Sequence, residues 1–339
     1  MTSRRGFLGM VAAAGAVALA SRSRVAGAAA SAGTNASGAM VLTATDVHVK
    51  DYPTVKAVQW IGEQLARETD GRISIRQYHS GQLGRESEAI DMARFGAIDF
   101  TRVYTGALNN AFPQTQALCL PYTFDSVAHL RRTLDGAVGA QVLKGFEARG
   151  LVGLAIYDSG ARCFYNTRRP INVPADLHGL KLRVPPSDIF MALIRQLGAN
   201  PTPLPYGEVF SALQTHLIDG AENNIRSFHS SRQFEAARYW SETEHSYAPD
   251  VLVMSKSRFD ALSADDRERI RRLAAASVQV MRGLWDQGAN EARSKLLEQG
   301  VQMNAVDMAA FRQAAEPVLR AYRDDATVGP LVRAIRALA

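Results

Sequence analysis

Cysteine is nearly absent from this chain: among 339 residues only Cys119 and Cys163 carry a thiol. Two thiols cannot by themselves build a metal centre. A chain of this length also makes a core without covalent staples, so both are expected to be buried and unpaired. Histidine is sparse, with seven residues, and His178, His216, His229 and His245 fall into no ligand spacing; each reads as a surface or core polar residue. Catalytic signatures are missing as well. There is no G-x-S-x-G, no H-E-x-x-H, no phosphate-binding P-loop and no G-x-G-x-x-G, which weakens the case for an enzyme and implies no cofactor and no metal.

Long apolar runs are lacking beyond residue 39, so the mature protein is not expected to be embedded in a membrane. An excess of one charge is lacking too. The chain carries 39 basic and 33 acidic residues, but Arg4, Arg5, Arg22 and Arg24 lie in a segment that reads as removable. Without them 35 basic residues face 33 acidic ones, a net charge near +2 that gives no argument for nucleic acid. The removable segment, 1–28, joins paired arginines to an apolar stretch from Phe7 to about Ala20, too short and too rich in small residues to span a bilayer. It reads as an export signal of the twin-arginine type, with Ala26-Gly27-Ala28 as a small-x-small cleavage site. Residues 29–40, rich in Ala, Gly and Ser, read as a flexible spacer.

What is present is alternation. "MVLTATD" reads as a strand, and the following helix has Pro53 in its first turn, Val58, Ile61 and Leu65 at helical spacing, and Asp70-Gly71 as its stop. "RISIRQY" is a strand, "ESEAIDMARFG" a helix and "AIDFTRVY" a strand; a similar pattern resumes at Leu151 and runs through "CFYNT", "KLRV", "IFMALIRQLG" and "GEVFSALQT". Such an order argues for mixed sheets covered by helices. About 300 residues exceed one core, so two lobes are expected. Residues 262–300 open with Ser263 and Asp266 in capping-box spacing, and Ile270, Leu273, Met281 and Leu284 share a face. This predicts one long helix, or two abutting ones, placed to cross both lobes.

The chemistry-bearing residues at predicted strand ends are arginines and an amide: Arg162 in "DSGARCFYNT", Arg183 in "LKLRVPPS" and Asn223 in "DGAENN". A guanidinium donates two parallel hydrogen bonds that match a carboxylate, so such residues converging on a cleft would clamp an organic anion. Surface arginines or structural ion pairs are the plain alternative for each.

The strings "NTRRPINVPADLHGLKLRVPPS", "LGANPTPLPYGEVFSALQTHLIDGAENN" and "TEHSYAPDVLVMS" resemble the solute receptors of tripartite ATP-independent periplasmic (TRAP) transporters, the C4-dicarboxylate-receptor type. The resemblance implies a monomeric, periplasmic, two-lobed α/β receptor of the binding-protein kind that closes on an organic anion and delivers it to a membrane permease. It implies a first lobe from 41–160 with about 249–285 and a second from 161–248 with about 286–339. It places the carboxylate on Arg183, with Arg162, Asn223 and Tyr206 beside it. In the other lobe Arg102 and Tyr104 share a face, and His48 and Glu86 match cleft loops. An acidic Glu86 is a poor neighbour for a second carboxylate, and "SGARCFYNTRRPI" is similar to receptors that take hexuronates and related sugar acids. Two other readings stay open at this level: an accessory that presents the ligand to a signalling receptor, and a periplasmic enzyme using Asp46, Glu86 or Glu222.

Overall fold

The computed structural model describes residues 39–339. The expected export signal and nearly all of the spacer lie outside those residues; Met40, at the spacer's end, opens the first strand.

Eleven strands are described: β1 (Met40–Thr45), β2 (Ile73–Tyr78), β3 (Phe100–Tyr104), β4 (Leu151–Tyr157), β5 (Arg162–Asn166), β6 (Lys181–Val184), β7 (Asn200–Pro203), β8 (Gly220–Asn224), β9 (Tyr239–Ser246), β10 (Asp250–Ser255) and β11 (Gln302–Asn304). They form two mixed sheets, ordered β2-β1-β3-β10-β4 and β11-β9-β5-β8-β6-β7. The chain passes between sheets from β4 to β5 and from β9 to β10, and Ser159 Oγ donates to the Ala248 carbonyl oxygen at 3.1 Å, tying the two crossings together. Gly160, in the first crossing, has φ +69°, and a Cβ there would press on the Trp285 ring at 3.0 Å.

Local rules account for the expected elements. The helix Pro53–Glu68 starts on Pro53, whose missing N–H costs nothing at that position, and buries Val55, Val58, Ile61 and Leu65 against the first sheet. Each such side chain contributes roughly 1.5–3 kcal/mol of burial. Asp70 and Gly71, at φ 50° and 79°, turn the chain out of the helix. β4 is buried along its whole length because helices cover both of its faces.

The late segment is one helix, Ala264–Glu298, of 35 residues. At 1.5 Å per residue it is roughly 50 Å long, enough to reach both sheets. Ser263 Oγ accepts from the Asp266 backbone N–H at 3.1 Å, as the capping spacing predicts. Ile270, Leu273, Met281 and Trp285 pack into the core around the first sheet, whereas Leu296 packs with Tyr165, Phe228 and Trp240 of the second. Trp285, not Leu284, completes the buried stripe. The helix Val328–Arg336 was expected with the second lobe, but its Leu331, Val332 and Ile335 join Leu118, Leu130 and Val138 in a core on the first-sheet side. Cys119 and Cys163 are free and buried.

Candidate functional site

The parallel strands β6 and β8 end where the antiparallel β5 begins, and ligands of open α/β sheets sit outside such carboxyl ends. Arg183 is the penultimate residue of β6, Arg162 opens β5, and Glu222 and Asn223 lie in β8. Arg162 spends its fork inside the protein. Its Nε and Nη2 donate to the Glu222 carboxylate at 2.5 and 2.9 Å, and Nη1 donates to Asn223 Oδ1 at 3.0 Å. Burial opposes the charge on both partners, but their mutual attraction prevails: Arg162 is held above its ordinary pKa, and Glu222, also facing His245, is held down at about 2.

Arg183 is the contrast. It is 3% exposed, its Nε donates to the Leu204 carbonyl oxygen at 2.9 Å, and no carboxylate among the described residues pairs with it. Burial therefore holds its pKa below the ordinary value. Its Nη1 and Nη2 pair is uncommitted.

The first sheet presents the same geometry. β1 and β3 are parallel, and their carboxyl ends lie beside the start of β10, where Asp250 pairs with Tyr104. The sequence suggests Arg102 as a ligand contact, yet its donors are taken by protein carboxylates. Nε donates to Asp46 Oδ2 at 2.9 Å, Nη2 to Asp46 Oδ1, and Nη1 to Asp250 at 3.1 Å and Glu86 at 3.3 Å. Asp46 also accepts from the His48 backbone N–H and the Thr54 hydroxyl. Glu86 Oε1 accepts a second bond from the Tyr104 backbone N–H at 3.0 Å. Burial pushes the His48 pKa down to about 3, with Arg102 adding to the effect, so the imidazole is neutral.

Aromatic rings join the two sheet ends. His48 stacks on Tyr52 at 3.8 Å and meets Tyr206 edge-on at 4.9 Å, while the Arg162 guanidinium lies 4.6 Å from the centre of the Tyr104 ring. Between the lobes is a cavity of about 350 Å³ lined by Glu86, Arg183 and Tyr206, a size suited to a small ligand. Arg102, Arg162, Asn223, His48 and Tyr104 connect to it through these contacts and are not themselves lining residues. Arg85 and Glu208 bridge its mouth at 2.6 Å, and Asn109 Nδ2 donates to Ser187 Oγ at 2.9 Å across the same divide. A larger cavity of about 510 Å³ lies along the long helix beside Trp285. Its arginines are already spent: Arg131 pairs with Asp158 and Asp286, and Arg293 with Glu242. The smaller cavity is thus the one with a guanidinium to offer. Among the described residues no His, Cys, Asp and Glu cluster is placed to hold a metal ion, and no helix is long and apolar enough to cross a membrane.

Residues 45–325 match the profile of the bacterial extracellular solute-binding proteins, family 7. The chain belongs to this family. Within it, a TRAP periplasmic solute-binding protein from a Bradyrhizobium species, solved in complex with α/β-D-galacturonate, is 46% identical. The match covers 87% of this chain and 99% of that one, with a TM-score of 0.86. The TRAP protein of Xanthobacter autotrophicus, solved with β-D-galacturonate, is 42% identical over 87% of this chain and 99% of its own, with a TM-score of 0.85. A solute-binding protein of Chromohalobacter salexigens is 37% identical over 274 residues, 80% of this chain and 82% of that protein. The two-lobed family-7 architecture explains why the strand ends of both sheets face one cleft. Sequence reasoning named Asp46 and Glu222 only as candidate catalytic carboxylates and passed over Asp250. An aspartate opening the continuous apolar run "DVLVMS" is the available signal, but its partner Arg102 is 148 residues away.

Proposed function

We propose that this TRAP receptor captures a hexuronate in the periplasm, closes its lobes around it, and delivers it as a monomer to a membrane permease. The observation that carries this reading is the uncommitted Nη1 and Nη2 pair of Arg183, buried at a strand end and lining the cleft, where every other cleft arginine is tied to a protein carboxylate. A carboxylate of the ligand completes Arg183 as Glu222 completes Arg162. Asn223, Tyr206, Tyr104, Glu86 and His48 supply the polar and aromatic surroundings that a sugar acid requires, and the galacturonate held by the Bradyrhizobium and Xanthobacter relatives supports that class. In this reading the lobes are 41–160 with about 249–285, and 161–248 with about 286–327, the helix Val328–Arg336 going with the first. Binding rather than turnover is favoured because Asp46 and Glu222 are locked in buried ion pairs and not free to move a proton.

Thermal shift across hexuronates, aldonates, keto acids and C4-dicarboxylates tests the reading. A ligand that binds only the folded state at ~100 times its Kd adds roughly 2.7 kcal/mol. D-galacturonate or D-glucuronate is expected to give the largest rise in Tm; no shift with any hexuronate would refute the assignment. Export is tested separately: Arg4→Lys with Arg5→Lys is expected to retain the protein in the cytoplasm, and normal secretion would rule out the twin-arginine route.

A further inference from the structure

Contacts that join the two lobes across the cleft are of two kinds. Some are buried: the Tyr52 hydroxyl lies 2.8 Å from Ser227 Oγ, and Asn109 Nδ2 donates to Ser187 Oγ at 2.9 Å, with all four residues out of solvent. The contact at the mouth is different. Arg85 Nη2 meets Glu208 Oε1 at 2.6 Å with side chains 57% and 41% exposed, and both residues line the cavity that Arg183 and Tyr206 also line. Neither has another charged partner among the described residues.

Both side chains stand on fixed turns. Gly84, at φ +104°, leads into Arg85, whose backbone N–H donates to the Glu88 carboxylate at 2.8 Å and so starts the helix Glu86–Arg94. A Cβ at position 84 would collide with that same carboxylate. Across the cleft the Glu208 backbone N–H donates to the Pro205 carbonyl oxygen at 3.1 Å, and Ser211 Oγ donates to the Glu208 carbonyl oxygen at 3.0 Å. Two anchored backbones lower the entropy that an exposed pair loses when it forms. Each member also adjoins a cavity residue: Glu86 follows Arg85, and Tyr206 precedes Glu208 by two positions.

We propose that Arg85 and Glu208 form an electrostatic latch that closes the mouth behind the ligand and sets how fast it is released. The inference rests on the hexuronate reading and adds the residues that govern release. A ligand enters the open cleft before the two side chains meet, so the latch slows dissociation and leaves association alone. An exposed ion pair shifts an equilibrium by at most about fivefold. That is enough to slow release, yet weak enough for added salt or a competing charged group to undo. Salt reaches the latch because both side chains stand in water, where screening shortens the reach of a charge from about 10 Å at 0.1 M to about 3 Å at 1 M. Arg183, 3% exposed, is screened far less.

Dissociation of radiolabelled D-galacturonate, chased with excess unlabelled sugar, tests this in a double-mutant cycle. Arg85→Gln and Glu208→Gln are each expected to speed release about threefold at low salt, and the double variant to release no faster than either single one. Raising the salt to about 1 M is expected to speed release from the wild type by a similar factor and to leave the double variant unchanged. Tyr52→Phe, which loses the buried contact to Ser227 and keeps the latch, is expected to retain the wild-type salt dependence. The melting temperatures of the ligand-free glutamine variants are expected to match the wild type, because the pair forms only when the lobes meet. Effects of the two substitutions that multiply in the double variant, or a salt dependence that survives in it, would overturn the latch while leaving the receptor reading intact. Wild-type release rates in both single variants would overturn it as well. Failure of the wild type to bind galacturonate would defeat the hexuronate reading itself.

Discussion

Arg183→Ala is expected to weaken hexuronate binding by roughly thirtyfold to several thousandfold, because losing one partner of a buried, hydrogen-bonded charge pair costs about 2–5 kcal/mol. The free protein should tolerate the change. Arg183 has no carboxylate partner among the described residues, so its removal strands no buried charge there and takes a donor from the Leu204 carbonyl oxygen. Arg183→Lys keeps the charge but not the planar fork, so it loses the two parallel N–H donors of Nη1 and Nη2 that match a carboxylate while Nε holds the Leu204 carbonyl oxygen. It is therefore expected to behave much more like the alanine variant than like the wild type. Isothermal titration gives the affinities and circular dichroism the melting temperatures. Wild-type affinity in a folded Arg183→Lys protein would mean that the carboxylate is held elsewhere.

Arg162→Ala is expected to do the reverse, damaging the free protein first. Glu222 is fully buried and takes two hydrogen bonds from Arg162 through its carboxylate oxygens, with only His245 Nε2, at 3.4 Å, as further support among the described residues. Breaking such a pair by removing one member leaves an uncompensated charge and costs about 3–5 kcal/mol of stability. The pH dependence has a definite sign. The folded pKa of Glu222 is depressed to about 2 from an ordinary 4.5, so the stability it contributes is fully present above 4.5 and is lost as pH falls toward about 2. The difference between wild type and Arg162→Ala, read from denaturant melts, is accordingly expected to be largest above pH 5 and to shrink toward pH 2. Adding Glu222→Gln to the alanine variant should recover part of the loss at neutral pH. An equal deficit at every pH would show that the pair is not what Arg162 provides.

These two arginines also mark how far the sequence could be read. Both were visible at strand ends, because short-range rules place β5, β6 and the turn that follows "LKLRV". Their different roles were not visible. Arg162 is neutralised by a residue 60 positions away and Arg102 by residues 56 and 148 positions away, and no local pattern reports such pairings. The first lobe from Met40 to Tyr104 was legible as alternating strand and helix because each element there carries its own period, cap or stop. β9 and β10 were not assigned, since Pro249 and the polar run "SETEHS" interrupt the alternation and the two strands belong to different sheets. The packing of the terminal helix is likewise not legible: its amphipathic face is plain from sequence, but which core accepts Leu331 and Ile335 depends on where the chain returns.

The most direct test of the account is the crystal structure of the mature protein saturated with D-galacturonate. The sugar is expected in the cleft lined by Glu86, Arg183 and Tyr206, its carboxylate forked on Nη1 and Nη2 of Arg183 at about 2.8 Å and its hydroxyls turned toward the Arg102 cluster. A carboxylate bound at the Arg102 end, or a sugar seated in the larger cavity beside Trp285, would contradict it.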